Sequence, residues 1–276
     1  MWNLLGKKFK SRFLLGTSGY PSPEVLKKSI LDSEVEIITM SLRRSGAMEE
    51  GAAFWEILKE LPVHFLPNTA GCHSIKEAVT TAHMAREVFN TNWIKLEIIG
   101  DDYNLQPDPF ALVEGTKILL EDGFEVFPYM TDDLVLAEKL VDLGVRILMP
   151  WASPIGSGKG LINEYALKTL RNRFPELNLI IDAGIGKPSE AARAMEMGYD
   201  GVLLNTAVSQ ALTPNLMAKA FSDAIMGGRK GFEAGLMEER DFASPSTPVV
   251  GTPFWHQEKK IETNLNCEKK NDLFTP

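Results

Sequence analysis

A lysine and a glutamate two positions apart, Lys95 and Glu97, are the residues of this sequence best suited to carry out chemistry together. They lie in the apolar segment 93–98, and side chains two apart on a strand point to the same face. Burial can lower the pKa of a lysine and free its amine as a nucleophile. The pair therefore predicts an imine-forming lysine beside an acid/base carboxylate. A buried ion pair that only neutralises charge is the alternative.

Further polar residues end two later apolar segments. Asp182 ends one of them and leads into a turn that contains Gly184, and Asn205 with Thr206 ends the next. Backbone N–H groups in such turns can bind phosphate. The pattern predicts a carboxylate next to an anion-binding turn. Turn geometry for the glycine and capping roles for the polar residues are the structural alternatives.

These residues need a frame that brings distant strand ends together. Short apolar segments alternate with helical patterns, and several lack a polar/apolar alternation, as parallel strands buried on both faces do. Eight such segments in this order predict a (β/α)8 TIM barrel, an α/β fold whose catalytic residues lie at the carboxyl ends of the strands. A doubly wound open sheet is the alternative. The predicted strands are 13–16, 35–40, 63–67, 93–98, 125–128, 146–149, 179–182 and 201–204.

Capping residues predict where the intervening helices begin and end. Ser, Asp or a Lys-Pro pair precedes four of the helical patterns, and a glycine follows two of them, as expected at helix starts and ends. The predicted starts are at Ser22, Ser74, Asp108 and Lys187, and the predicted ends are near Gly144 and Gly198.

Composition narrows the function classes. The 276 residues include 29 Lys+Arg against 37 Asp+Glu, and this net charge of −8 disfavours nucleic-acid binding. No apolar run is long enough for a membrane span, and the amino terminus has no signal-peptide pattern, so a cytoplasmic enzyme is expected. The two cysteines, Cys72 and Cys267, form no metal-binding motif, and no cofactor or metal is predicted. We expect a catalytic domain over 1–255 and a flexible polar tail over 256–276.

Taken in order, these segments resemble bacterial and plastid thiazole synthase, an enzyme of thiamin biosynthesis. The resemblance covers almost the whole predicted barrel. One residue of this sequence, the bulky Trp151, departs from the family pattern and could alter the mouth of the site. The matching segments are Pro67-Asn-Thr-Ala-Gly71, Thr91-Asn-Trp-Ile-Lys95-Leu-Glu97, Pro107-Asp-Pro109, Met149-Pro150, Pro154-Ile-Gly-Ser157, Asp182-Ala-Gly-Ile-Gly186 and Leu204-Asn-Thr-Ala207.

The resemblance implies a condensation of 1-deoxy-D-xylulose 5-phosphate, dehydroglycine and the thiocarboxylate of a small sulfur-carrier protein into a thiazole phosphate carboxylate. It implies that Lys95 forms the Schiff base and that Glu97 and Asp182 move protons. It further implies a homo-oligomer that forms complexes with the sulfur carrier and with a dehydroglycine-producing oxidase or lyase. The implied phosphosugar-binding residues are Gly156, Ala183, Gly184, Asn205 and Thr206.

Two other functions fit the residues. A class I aldolase-type barrel would use Lys95 on another phosphosugar and cleave a carbon–carbon bond without a sulfur donor. A non-catalytic barrel would bind a phosphosugar and dock the sulfur carrier, and Lys95→Ala would then leave ligand affinity nearly intact. The ordered set of segments favours the synthase.

Overall fold

A closed barrel of eight parallel strands forms the centre of the molecule, which confirms the predicted (β/α)8 fold and excludes the open sheet. The computed structural model describes residues 1–42, 57–243 and 246. Around the barrel the strands follow chain order, and the last pairs with the first. The strands of the described part are β1 (Trp2–Leu4), β2 (Lys7–Phe9), β3 (Phe13–Gly16), β4 (Ile37–Ser41), β5 (His64–Asn68), β6 (Trp93–Leu96), β7 (Ile99–Asp101), β8 (Gln106–Pro107), β9 (Glu125–Met130), β10 (Ile147–Pro150), β11 (Asn178–Asp182) and β12 (Gly201–Leu204).

The barrel is built from β3 to β6 and β9 to β12, and each of these eight strands overlaps a predicted one. Helices connect the barrel strands on the outside. In the described residues they are α1 (Pro23–Ser33), α2 (Ile75–Phe89), α3 (Pro109–Glu121), α4 (Leu134–Asp142), α5 (Glu164–Arg173), α6 (Pro188–Glu196), α7 (Thr206–Ser209) and α8 (Pro214–Ala234).

The predicted helix starts are confirmed. Ser22 and Ser74 are N-caps that accept the N–H groups of Val25 and Glu77, and Asp108 accepts the N–H of Phe110 at 2.9 Å. At Lys187 the cap works differently, because the carboxylate of Glu190 accepts the Lys187 N–H. The predicted ends are also confirmed, since Gly144 and Gly198 follow α4 and α6 with φ of +100° and +89°.

The interior of the barrel is filled from the amino-terminal side. Alternate strand residues such as Leu14, Trp93 and Phe127 form an inner apolar cluster, which Trp2 and Phe9 of an amino-terminal hairpin join. The hairpin pairs β1 with β2, two strands that the sequence analysis did not predict. Apolar side chains fill this end, and buried polar residues such as Lys95, Glu97 and Asp182 lie at the carboxyl ends of the strands.

The chain divides into two units, of which the first spans Met1–Leu236 and contains the barrel. The second unit begins at Met237. In the second unit, the described residues 237–243 and 246 are exposed. The predicted boundary at residue 255 and the predicted tail 256–276 lie outside the described residues and stay predictions. No helix in the described ranges is long and apolar enough to cross a membrane.

Candidate functional site

A cavity of about 530 Å³ opens at the carboxyl ends of the barrel strands. Residues from β6, β11, β12 and the loops after them reach it, although they lie far apart in the sequence. The cavity brings together every site residue that the sequence predicted, namely Lys95, Glu97, Gly156, Asp182, Ala183, Gly184, Asn205 and Thr206.

Lys95 lies at the base of this cavity between two carboxylates. Its Nζ is 2.6 Å from Oδ2 of Asp182 and 3.1 Å from Oε1 of Glu97. All three residues are at most 5% exposed. Lys95 and Glu97 point to the same face, as their spacing predicted, and this face is the barrel interior, since the alternate residues Ile94, Leu96 and Ile98 belong to the outer core. The stronger partner, Asp182, comes from a strand on the other side of the barrel.

The expectation that Lys95 has a lowered pKa is wrong. Burial does act in that direction, but the charges of Asp182 and Glu97 and their hydrogen bonds outweigh it, so the pKa of Lys95 is raised. The ammonium is therefore the resting form. A nucleophilic amine requires that a proton first pass to a neighbouring base.

Asp182 is the base that the electrostatics favour. Burial raises its pKa to about 6, against the lowering effect of Lys95 and with a further increase from Glu97. A carboxyl group with a pKa near neutrality exchanges a proton readily at physiological pH. Because Asp182 already contacts Nζ, this exchange needs no large movement.

The side chain of Thr69 fixes the backbone of Glu97. Its hydroxyl accepts the N–H of Glu97 at 2.8 Å and lies 2.7 Å from the carbonyl oxygen of the same residue, to which it donates. Thr69 is fully buried in the loop after β5. Thr69 belongs to one of the matching segments, but no role was predicted for it, because a hydrogen bond across two strand ends has no local sequence pattern.

The loop after β11 turns sharply beside the carboxylates. Ala183 and Gly184 have positive φ values of +71° and +78°. A side chain at Gly184 would place its Cβ 2.0 Å from Oγ of Ser153, so only glycine fits against the loop after β10. The carbonyl of Gly184 accepts the N–H of Gly160 at 2.9 Å, which ties the two loops together.

Asn205 lies at the adjacent end of β12. Its Nδ2 donates to the carbonyl of Ser18 at 2.9 Å, while its buried Oδ1 has no hydrogen-bond partner among the described residues. The close approach requires glycine at position 16, where a Cβ would lie 2.4 Å from that of Asn205. An acceptor left free in the wall of the cavity is suited to a hydroxyl group of a ligand.

Trp151 packs beside Asp182 and is not one of the residues that line this cavity. The side chain is 9% exposed, and its Nε1 donates to Oδ1 of Asp132 at 3.2 Å. An effect of Trp151 on the mouth of the site stays a prediction. Among the described residues, no group of three or more His, Cys, Asp or Glu side chains could hold a metal ion.

Comparisons with known proteins place this geometry in context. The family model described as "Thiazole biosynthesis protein ThiG" matches residues 3–248. A thiazole synthase of Coxiella burnetii is 57% identical over 254 residues, which cover 92% of this chain and 98% of that protein. A thiazole synthase of Bradyrhizobium sp. is 58% identical over 257 residues, with 93% and 99% covered.

Solved structures share the architecture. The chain resembles a structure of the Amycolatopsis orientalis BexX/CysO complex, with a TM-score of 0.79, 27% sequence identity, and 87% of this chain and 98% of that chain covered. A structure titled "Native KDPGal structure" has a TM-score of 0.56 at 15% identity, with 81% and 98% covered, and shares the fold alone.

Proposed function

The chain belongs to the thiazole synthase family of thiamin biosynthesis, and on this premise we propose that it builds the thiazole through a Schiff base on Lys95. The proposed substrates are 1-deoxy-D-xylulose 5-phosphate, dehydroglycine and the thiocarboxylate of a small sulfur-carrier protein. The observation that carries the proposal is a buried lysine held between two carboxylates at the base of the cavity.

The first step is imine formation at the ketone of the phosphosugar. Lys95 rests as an ammonium, and Asp182 at 2.6 Å is the nearest base for its proton. The freed amine attacks the ketone carbon, and the oxygen leaves as water. The resulting protonated imine withdraws electrons and acidifies the neighbouring C–H bond.

Proton transfers then fall to the two carboxylates. Abstraction of the acidified proton requires a base within hydrogen-bond reach, and Glu97 and Asp182 both line the cavity beside Nζ. Burial strengthens the charge interactions of both carboxylates. The two hydrogen bonds of the Thr69 hydroxyl fix the backbone position of Glu97. We assign both residues to acid/base catalysis.

The phosphate is assigned to the loops after β10, β11 and β12. Gly156, Ala183, Gly184, Asn205 and Thr206 line the cavity. Gly156, Ala183 and Gly184 have positive φ values, a conformation found in anion-binding turns. Local N–H groups allow a protein of net charge −8 to bind an anion. The N–H groups of Gly186 and Lys187 are excluded from this role, because Glu190 accepts both.

The sulfur donor is proposed to be a protein. The Amycolatopsis relative was solved as a complex with a second protein, which supports a protein partner for this chain. We propose that the thiocarboxylated carrier delivers its sulfur at the open end of the cavity, and that an oxidase or lyase supplies the dehydroglycine. A homo-oligomer and a cytoplasmic location stay predictions.

Reconstitution tests the proposal. The purified protein is combined with phosphosugar, dehydroglycine and carrier thiocarboxylate, and the thiazole phosphate carboxylate is measured by mass spectrometry. We expect product with wild type, none when any one substrate is omitted, and none with Lys95→Arg, which keeps the charge but forms no imine. Cleavage of the phosphosugar into smaller carbonyl compounds without sulfur would contradict the proposal and indicate an aldolase.

A further inference from the structure

Tyr129 lies beside the lysine and is not one of the residues that line the cavity. Its side chain is fully buried on β9, and its ring faces Nζ of Lys95 with 5.5 Å between Nζ and the ring centroid. Lys95 pairs with Phe127 on the neighbouring strand. Tyr129 and Glu97 are each two residues further along, so they lie at the same level of the barrel interior.

The hydroxyl of Tyr129 has no hydrogen-bond partner among the described residues. Burial, and then the charges of Asp182 and Glu97, raise the pKa of Tyr129, so the phenol keeps its proton. A buried donor without an acceptor costs stability. The charges of Asp182 and Glu97 act on Tyr129, and both carboxylates already form ion pairs with Lys95.

Imine formation changes the number of donors on this nitrogen. The ammonium of Lys95 has three N–H bonds, and it contacts one oxygen each of Glu97 and Asp182. When the ketone C=O bond breaks and the C=N bond forms, two of the three hydrogens leave with the oxygen as water. The protonated imine keeps its positive charge and a single N–H. It can donate to one carboxylate only.

We propose that Tyr129 is a positioning residue whose hydroxyl donates to Glu97 once the imine has formed, while the imine N–H stays with Asp182. The shorter contact of Nζ is to Asp182, and Glu97 lies level with Tyr129 on the adjacent strand. This proposal rests on the Schiff base proposed above. The hydroxyl of Tyr129 thus gains its acceptor only when Lys95 carries the protonated imine.

Tyr129→Phe tests the proposal, because it removes the hydroxyl and keeps the ring. The readouts are the initial rate of borohydride-trapped adduct on Lys95 as a function of pH, the KM for the phosphosugar, and Tm. Since a hydrogen bond to a charged group contributes about 1.5–3 kcal/mol, we expect trapping to slow roughly tenfold or more. The limb of the pH profile that requires an ionised carboxylate should move to higher pH. KM should not rise, and Tm should not fall.

Tyr199→Phe is the matched control. Tyr199 is equally buried, but its hydroxyl donates to the carbonyl of Leu167 at 2.9 Å, outside the site. We expect this variant to lower Tm and leave trapping unchanged, the opposite of Tyr129→Phe. An unchanged trapping rate and pH profile in Tyr129→Phe would overturn the proposal, as would a loss of Tm and affinity together. Absence of an adduct in wild type would instead overturn the Schiff base itself.

Discussion

Oδ2 of Asp182 lies 2.6 Å from Nζ of Lys95, and the two residues come from strands β11 and β6 on different sides of the barrel. Both side chains are almost completely buried. The contact holds the lysine as an ammonium and gives it a base to which it can pass its proton. In the proposed mechanism, this one ion pair therefore determines both the protonation state of the lysine and the first proton transfer.

Removal of the lysine charge should destabilise the fold. In Lys95→Met, Glu97 and Asp182 are left facing each other without a counter-charge, and breaking a buried pair in this way costs about 3–5 kcal/mol. Because protonation of the carboxylates relieves the repulsion, the loss should shrink as the pH falls. Denaturant unfolding of wild type and variant at pH 7 and pH 5 measures this loss of unfolding free energy. A loss that is equal at both pH values would contradict the ion-pair account.

The pH dependence of activity and of stability should run in opposite directions near pH 6. Asp182 has a pKa of about 6 in the folded protein against 3.8 as its ordinary value. The folded state therefore binds the proton first, so the contribution of this group to stability falls as the pH rises from about 4 to about 6. As a base, the same group requires ionisation, so kcat/KM should rise through about pH 6.

Asp182→Asn is the variant that isolates both effects. We expect it to lower kcat by roughly 10²-fold or more, the usual contribution of a positioned acid or base. The difference in unfolding free energy between wild type and variant should decrease with rising pH over the same interval. If that difference does not vary with pH, Asp182 is not the group that titrates there.

Thr69→Val should impair catalysis through Glu97. The substitution keeps the shape of the side chain and removes the hydroxyl that bonds both the N–H and the carbonyl of Glu97. Leaving these buried groups unpaired should cost about 1–3 kcal/mol in stability and lower kcat more than it raises KM. The control is Thr169→Val, whose surface hydroxyl donates only to the carbonyl of Tyr165. Equal effects of the two variants on kcat would argue against a role for Thr69.

Gly184→Ala should damage the turn to which phosphate binding is assigned. The residue has a φ of +78°, and the new Cβ would lie 2.0 Å from Oγ of Ser153. We expect a lower Tm, with about 1–3 kcal/mol from the backbone strain alone, and a raised KM for the phosphosugar. Gly227→Ala is the control, because nothing lies within 4 Å of its Cβ in helix α8, so a gain of about 0.5–1 kcal/mol is expected. A Gly184→Ala variant with normal KM would remove the turn from the binding site.

The sequence predicted the barrel because its strands and caps carry local patterns. Eight apolar segments and the capping residues of α1, α2 and α3 appear within short windows of sequence. The hairpin of β1 and β2 was missed because each strand has only three residues, too few for a periodic pattern. Its apolar residues are recognisable as core only once the barrel end that they close is known.

The sequence predicted which residues would come together, and they do line one cavity, but it predicted their electrostatics only in part. Spacing placed Lys95 and Glu97 on one face, and strand-end position placed Asp182 near them. That Asp182 would be the closer partner, and would help to raise the pKa of Lys95, depends on contacts across the barrel. The same holds for the hydroxyls of Thr69 and Tyr129, whose neighbours belong to other strands.

Borohydride trapping with 1-deoxy-D-xylulose 5-phosphate tests the central claim most directly. Wild type is incubated with the phosphosugar, reduced, digested and mapped by mass spectrometry, with Lys95→Arg in parallel. Lys187 also lines the cavity and provides an internal comparison for non-specific reaction. We predict one reduced phosphosugar adduct, located on Lys95 and absent from Lys95→Arg. Thiazole formation by a protein that yields no adduct on Lys95, or yields it on Lys187, would contradict the account.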